Sequence, residues 1–142
     1  MVTGHDIPMS LRAAYLSMHR QTEACLAEHG VTAHQFVLLA LLAEEDGITQ
    51  QDLGRRASSD PNTIRAMLVL LEKRGLVARK QSPDDGRALN VTITGKGRRT
   101  YKRLFEESEP LRERIFGLFQ KEEVEMLNTF LRRISRAMTE AD

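Results

Sequence analysis

A mainly α-helical chain with one small β-hairpin is the fold class the sequence predicts, and three observations predict it. Apolar residues recur at helical spacing through most of the chain. A short helix, a four-residue turn and a longer helix follow one another between Thr49 and Arg74. Two β-prone runs, Val77–Gln81 and Leu89–Ile93, flank the turn-forming stretch Ser82-Pro-Asp-Asp-Gly86. Helix, turn, helix and ribbon in that order describe a winged helix-turn-helix.

Each element has its own signal. Residues 9–29 carry Leu11, Ala14, Tyr15, Met18, Cys25 and Leu26 and read as a helix that stops at Gly30. Thr32-Ala-His-Gln35 is a capping-box pattern that opens a helix to about Glu45. Its run Phe36-Val-Leu-Leu-Ala-Leu-Leu is apolar on nearly every face, so this helix belongs in the core. Thr49-Gln-Gln-Asp52 opens the short helix to about Arg56, and Ala57-Ser-Ser-Asp60 makes the turn. Asp60 is the N-cap and Pro61 the first residue of a helix that ends at Gly75. Thr94 caps the next helix, which Pro110 should kink or restart. A last helix from about Lys121 has Val124, Leu127, Leu131, Ile134 and Met138 on one stripe, too short for a coiled coil but in need of a partner.

The 142 residues suit one domain, 1–142, with 41% hydrophobic and 29% charged residues. The longest apolar run, Phe36 to Ala43, falls far short of the ~18 residues a membrane span needs. Residues 1–10 hold His5, Asp6 and Pro8 and no apolar core of a secretory signal. A single cysteine, Cys25, forms no intramolecular disulfide, and a cytoplasmic location is the expectation.

The net charge of +1 conceals an asymmetry. Residues 53–103 hold 13 Lys/Arg against four acids, a net of +9, while the rest of the chain is −8. Charge alone is compatible with a solvated surface. Coinciding with the ribbon, it points to a polyanionic partner for the middle of the chain.

On the helix from Pro61, residues Ile64, Met67, Leu68 and Leu71 share the inward face. Asn62, Arg65, Ala66, Val69 and Lys73 share the other. Asn pairs with adenine, Arg with guanine, and Ala or Val touches a thymine methyl. An ordinary amphipathic helix has a polar outside too, so the argument rests on the neighbouring ribbon. Ser59 and Thr63 can donate to phosphates near the helix N-terminus. Arg87 at the ribbon tip suits the narrow minor groove of double-stranded DNA, with Asp85 placed to orient its guanidinium. A surface salt bridge of ~0–1 kcal/mol is the plain alternative. Arg79, Lys80, Lys73 and Arg98 suit phosphate contacts.

At Ile48-Thr-Gln-Gln-Asp-Leu53, Leu71-Glu-Lys-Arg-Gly-Leu-Val-Ala-Arg79, Asp85-Gly-Arg-Ala88 and Val91-Thr-Ile-Thr-Gly-Lys-Gly97 the sequence resembles the MarR (multiple antibiotic resistance regulator) family. The resemblance implies a transcription regulator, usually a repressor, with its DNA-binding region at 31–97. It implies a homodimer built from N- and C-terminal dimerisation helices at 8–30 and 98–140, here through Leu11, Val124, Leu127, Leu131, Ile134 and Met138. It further implies a palindromic operator and a small-molecule effector, often an aromatic or phenolic anion. Gln120 departs from the Ser or Thr that usually caps the last helix.

Some relatives sense peroxides through a first-helix cysteine, which makes Cys25 a redox candidate. His29, four residues on, would help activate it and Glu28 would oppose it; a buried structural cysteine is the plainer reading. His5, His19, His29 and His34 have no close-spaced ligand motif, so neither metal nor cofactor is expected. The sequence holds no Gly-rich phosphate loop and no catalytic triad, so an enzyme is the least favoured reading. A winged-helix protein-interaction module is the other alternative, suited to the acidic ends.

Overall fold

The computed structural model describes residues 1–139; the last residue of the expected 98–140 segment therefore lies outside the described residues. Two compact units carry the elements, one of residues 1–108 and one beginning at Glu109. The first contains α1 (Asp6–Leu26), a single 3-10 turn (Ala27–His29), α2 (Ala33–Glu44) and β1 (Ile48–Thr49). It continues with α3 (Gln50–Arg56), α4 (Pro61–Lys73), β2 (Val77–Gln81), β3 (Leu89–Ile93) and α5 (Gly95–Glu107). The second contains α6 (Glu109–Phe116) and α7 (Lys121–Thr139). Among the described residues no single helix is long and apolar enough to cross a membrane.

Capping chemistry sets the helix starts. The Thr32 hydroxyl accepts the Gln35 N–H at 3.1 Å, and the Gln35 side chain accepts the Thr32 N–H at 3.1 Å, so the capping box closes. Thr49, Asp60 and Thr94 cap α3, α4 and α5 in the same way, each accepting the N–H three residues on. Asp52 pairs its carboxylate with Arg55 of the same helix. α1 begins earlier than predicted, at Asp6, and tightens into the 3-10 turn before Gly30 takes the left-handed φ of 66°. α5 stops at Glu107 and α6 restarts at Glu109, since Pro110 has no N–H with which to continue the ladder. At α7 the Glu123 carboxylate accepts the Gln120 N–H at 2.8 Å, so an acid closes the helix start where Gln120 replaces the usual hydroxyl.

The ribbon strands lie where the sequence predicts them, but the ribbon is not two-stranded. Ile48 and Thr49 pair with Val91 and Asn90, giving an antiparallel sheet of order β1-β3-β2. Two residues are too few to display a period of two, which is why alternation did not announce this strand. In β2 and β3, Val77 faces Ile93, Arg79 faces Val91 and Lys80 faces Asn90. Opposed residues share a face of the sheet, so Arg79 stands on the side of the buried valines.

The main core gathers Leu38, Leu39 and Leu42 of α2, Leu53 of α3, Ile64, Leu68 and Leu71 of α4, and Leu76, Val77, Val91 and Ile93 around the sheet. A smaller cluster of Leu26, Val31 and Leu104, with Phe36 against it, fastens α1 and α5 to α2. At the start of α5, Gly97 permits a close passage: a Cβ there would lie 2.1 Å from the Leu76 carbonyl oxygen and 2.7 Å from Ile93. Gly97→Ala should therefore lower stability by ~1–3 kcal/mol, the usual cost of overpacking. Denaturant unfolding checks this, and an unchanged midpoint would contradict the close approach.

Candidate nucleic-acid interface

α4 turns Ile64, Leu68 and Leu71 inward at no more than 1% exposure, while Met67 is half-buried at the core edge. Asn62, Thr63, Arg65, Ala66 and Lys73 are exposed, and Val69 is half-buried. The outward face is the predicted one. Arg65 donates to the Asn62 side-chain oxygen at 3.4 Å, which brings together the two side chains expected from sequence to read bases. Ser59 is half-buried in the turn before α4, beside Ser58, whose φ of 54° reverses the chain.

Asp60 is occupied by its cap. One carboxylate oxygen accepts the Thr63 N–H at 2.9 Å and the other accepts the Thr63 hydroxyl at 2.6 Å. The hydroxyl bond, then the backbone bond, holds the Asp60 carboxyl below its ordinary 3.8. The Thr63 hydroxyl is thus engaged within the protein rather than left for a phosphate.

The wing corrects one expectation. Asp85 accepts the backbone N–H of Arg87 at 2.9 Å, so it fixes the turn and not the guanidinium. The Ala88 N–H to Asp85 carbonyl bond at 3.0 Å and the Gln81 side chain on the Gly86 carbonyl tighten the same tip. Between wing and helix-turn-helix lies a cleft of about 560 Å³, whose walls include Gln51 and Arg55 of α3, Ser59, Pro61, Asp85 and Arg87. Gln51 and Arg55 were not singled out from sequence. Their nearness to Arg87 is a product of the tertiary fold, and the side chain of Arg55 is 74% exposed.

The four predicted phosphate contacts divide. Lys73 and Lys80 are exposed. The side chain of Arg79 is only 16% exposed; it pairs with Glu72 at 3.2 Å and donates to Gln50 at 3.3 Å. That bond holds the Glu72 carboxyl below its usual range. Arg79 is better described as a brace between β2, α3 and α4. Arg98 pairs with Asp46 at 3.1 Å, and Asp46 also accepts the Ile93 N–H at 2.9 Å, so Arg98 helps seat the wing base.

Cys25 is half-buried, and its thiol donates to the Glu107 carbonyl at 3.5 Å. His29 does not turn towards Cys25; its ring pairs with the Glu107 carboxylate on α5. Among the described residues no group of three His, Cys, Asp or Glu is placed to hold a metal.

A three-stranded wing, a capped recognition helix and a cationic cleft between them define a winged helix-turn-helix protein. Residues 31–89 match the MarR family. An HTH-type transcriptional repressor of Mycobacterium bovis is 37% identical over 83 residues, 58% of this chain and 60% of that protein. The regulator TtmR of Methylorubrum extorquens is 35% identical over 104 residues, 68% of this chain and 53% of that protein. The chain thus spans somewhat over half the length of these curated relatives. The repressor CouR, solved bound to a 23-mer DNA duplex, superposes with a TM-score of 0.80 at 26% identity, covering 95% of this chain and 99% of that one. A Rhodococcus regulator of the same family superposes at 0.83 with 23% identity, covering 94% and 95%. The chain belongs to the MarR family, whose members are transcriptional regulators.

The Asp60 cap yields a pH prediction. Its folded carboxyl titrates below 3.8, so its contribution is complete above that value and fades as pH falls through the lowered one. Asp60→Ala should destabilise the protein near neutral pH, and the gap to wild type should shrink in acid. Unfolding midpoints against pH test this; a gap that widens below 3.8 would contradict the cap.

Proposed function

We propose that this protein is a sequence-specific transcriptional regulator that binds a palindromic DNA operator as a homodimer, usually to repress, and acts in the cytoplasm. The observation that carries the reading is the joint exposure of Asn62, Arg65 and Ala66 on one face of α4, beside a cleft bordered by Arg55 and Arg87. Side chains suited to base edges stand on the helix that borders this cleft, whose cations suit phosphate and minor groove. The DNA-bound state of CouR, similar across nearly the whole chain, supports the same use of the fold. In this reading Asn62 and Arg65 supply base preference, Val69 supplies apolar contact, and Ser59, Lys73 and Lys80 position the backbone.

The dimer reading rests on apolar side chains without cover in the single chain. On α1, Tyr15, Leu16 and Met18 are 37–51% exposed; on α7, Leu127, Leu131 and Ile134 are 38–39% exposed and Met138 is 69% exposed. Leu11 and Val124 are half-buried. Surface of this kind on a small soluble domain marks an interface, and a two-fold dimer matches a palindrome whose half-sites lie ~34 Å apart. A small-molecule effector that releases the operator completes the proposal.

Selection of bound genomic fragments followed by footprinting tests the whole. Protection of one inverted repeat is expected; equal affinity for all sequences would overturn it. Arg65→Ala should cost ~1–3 kcal/mol and relax preference at one base step. A loss uniform across sequences would make Arg65 a phosphate contact. Leu131→Glu should abolish dimerisation and operator binding together, so a monomer that retains full affinity would contradict the interface.

A further inference from the structure

We infer that Arg74 is a positioning residue that fixes the angle between the recognition helix α4 and α1, and so sets the half-site spacing the protein accepts. This rests on the operator reading above. Arg74 is the C-cap of α4, but its side chain leaves the DNA-facing surface and reaches the end of the α1 arm. One guanidinium nitrogen donates to the Gly30 carbonyl at 2.6 Å and the other to the His29 carbonyl at 3.2 Å. These carbonyls close the 3-10 turn that ends α1, where helix geometry leaves acceptors without intrahelical donors and a cation is favoured. A planar fork on two acceptors constrains direction as well as distance, which one ammonium cannot do.

The two ends of this link, His29 on one side and Arg74 on the other, are both held from the α5 side. The His29 ring pairs with Glu107 at the end of α5, and Arg103 donates to the same carboxylate at 3.3 Å. At the other end of α5, Lys96 donates to the Arg74 carbonyl at 2.9 Å and the Thr94 hydroxyl donates to the Gly75 carbonyl at 2.6 Å. The end of α4 and the end of the α1 arm are therefore fastened to the two ends of one helix and joined to each other through Arg74. α1 is also the arm that exposes Tyr15, Leu16 and Met18. In a two-fold dimer joined through that arm, a change in the α4–α1 angle is doubled in the separation of the two recognition helices. The base-reading face, at the opposite end of α4, is untouched by it.

The test measures affinity for a set of inverted-repeat duplexes in which the spacer between half-sites is lengthened or shortened by one or two base pairs. A second set varies single bases within the half-site. Wild type should prefer one spacing. Arg74→Ala should flatten that preference by roughly three- to ten-fold, the scale on which a coupling residue acts. Base preference and dimer mass should be retained, and Arg74→Lys should restore little of the spacing preference. If Arg74→Ala does not fold, Arg74→Gln is read in its place. An unchanged spacing preference in a folded Arg74 variant overturns the inference, as does parallel loss of base discrimination. A wild type with no preferred spacing and no preferred bases overturns instead the operator reading on which the inference rests.

Discussion

The passage of Gly97 across the Leu76 carbonyl is the contact on which the position of the wing depends. Leu76 is where α4 has ended and β2 has not begun; its N–H returns to the Leu71 carbonyl at 2.9 Å and its carbonyl accepts the Thr94 N–H at 3.1 Å. One residue thus closes α4, and its carbonyl receives the end of the ribbon. Because Gly97 brings the α5 backbone onto this point, the outgoing strand β3 and the following helix leave in a single allowed direction. Asp46 then secures the other side of the ribbon base through the Ile93 N–H and Arg98. The tip that carries Arg87 is far from both contacts, yet its reach is set by them.

Interactions within a few residues were the ones legible in sequence. The caps at Thr32, Asp60 and Thr94, the inward stripe of α4 and both long strands follow from local spacing, and the structure places them as that spacing requires. Contacts between distant segments were not legible. Nothing local joins Asp46 to Arg98, His29 to Glu107, or Arg55 to the wing, because each depends on how separate elements pack. Arg79 is the instructive case. Its type suggested a phosphate contact, whereas its place two residues from Val77 puts it on the buried face of β2, a spacing the sequence reading did not use. Alternation was the stronger guide.

Charge counting overstated what the middle of the chain offers a polyanion. Within the +9 window, Arg55, Arg56, Arg79, Arg98 and Arg103 have carboxylate partners at Asp52, Glu45, Glu72, Asp46 and Glu107. Arg65, Lys73, Lys80 and Arg87 have no acidic partner among the described residues. The field is therefore narrower than the composition suggests: α4 and the ribbon keep Arg65, Lys73, Lys80 and Arg87, and α5 keeps the exposed Arg99 and Lys102.

The third strand has a consequence of another kind. With order β1-β3-β2, β3 is paired on both sides, which leaves β2 and the two-residue β1 as the margins of the sheet. A free margin is a template for unwanted pairing between chains, and native sheets blunt it with short strands and with lysine. β1 is blunted by its length and β2 by the exposed Lys80, so a residue that makes the ribbon cationic also protects the protein against edge-to-edge aggregation.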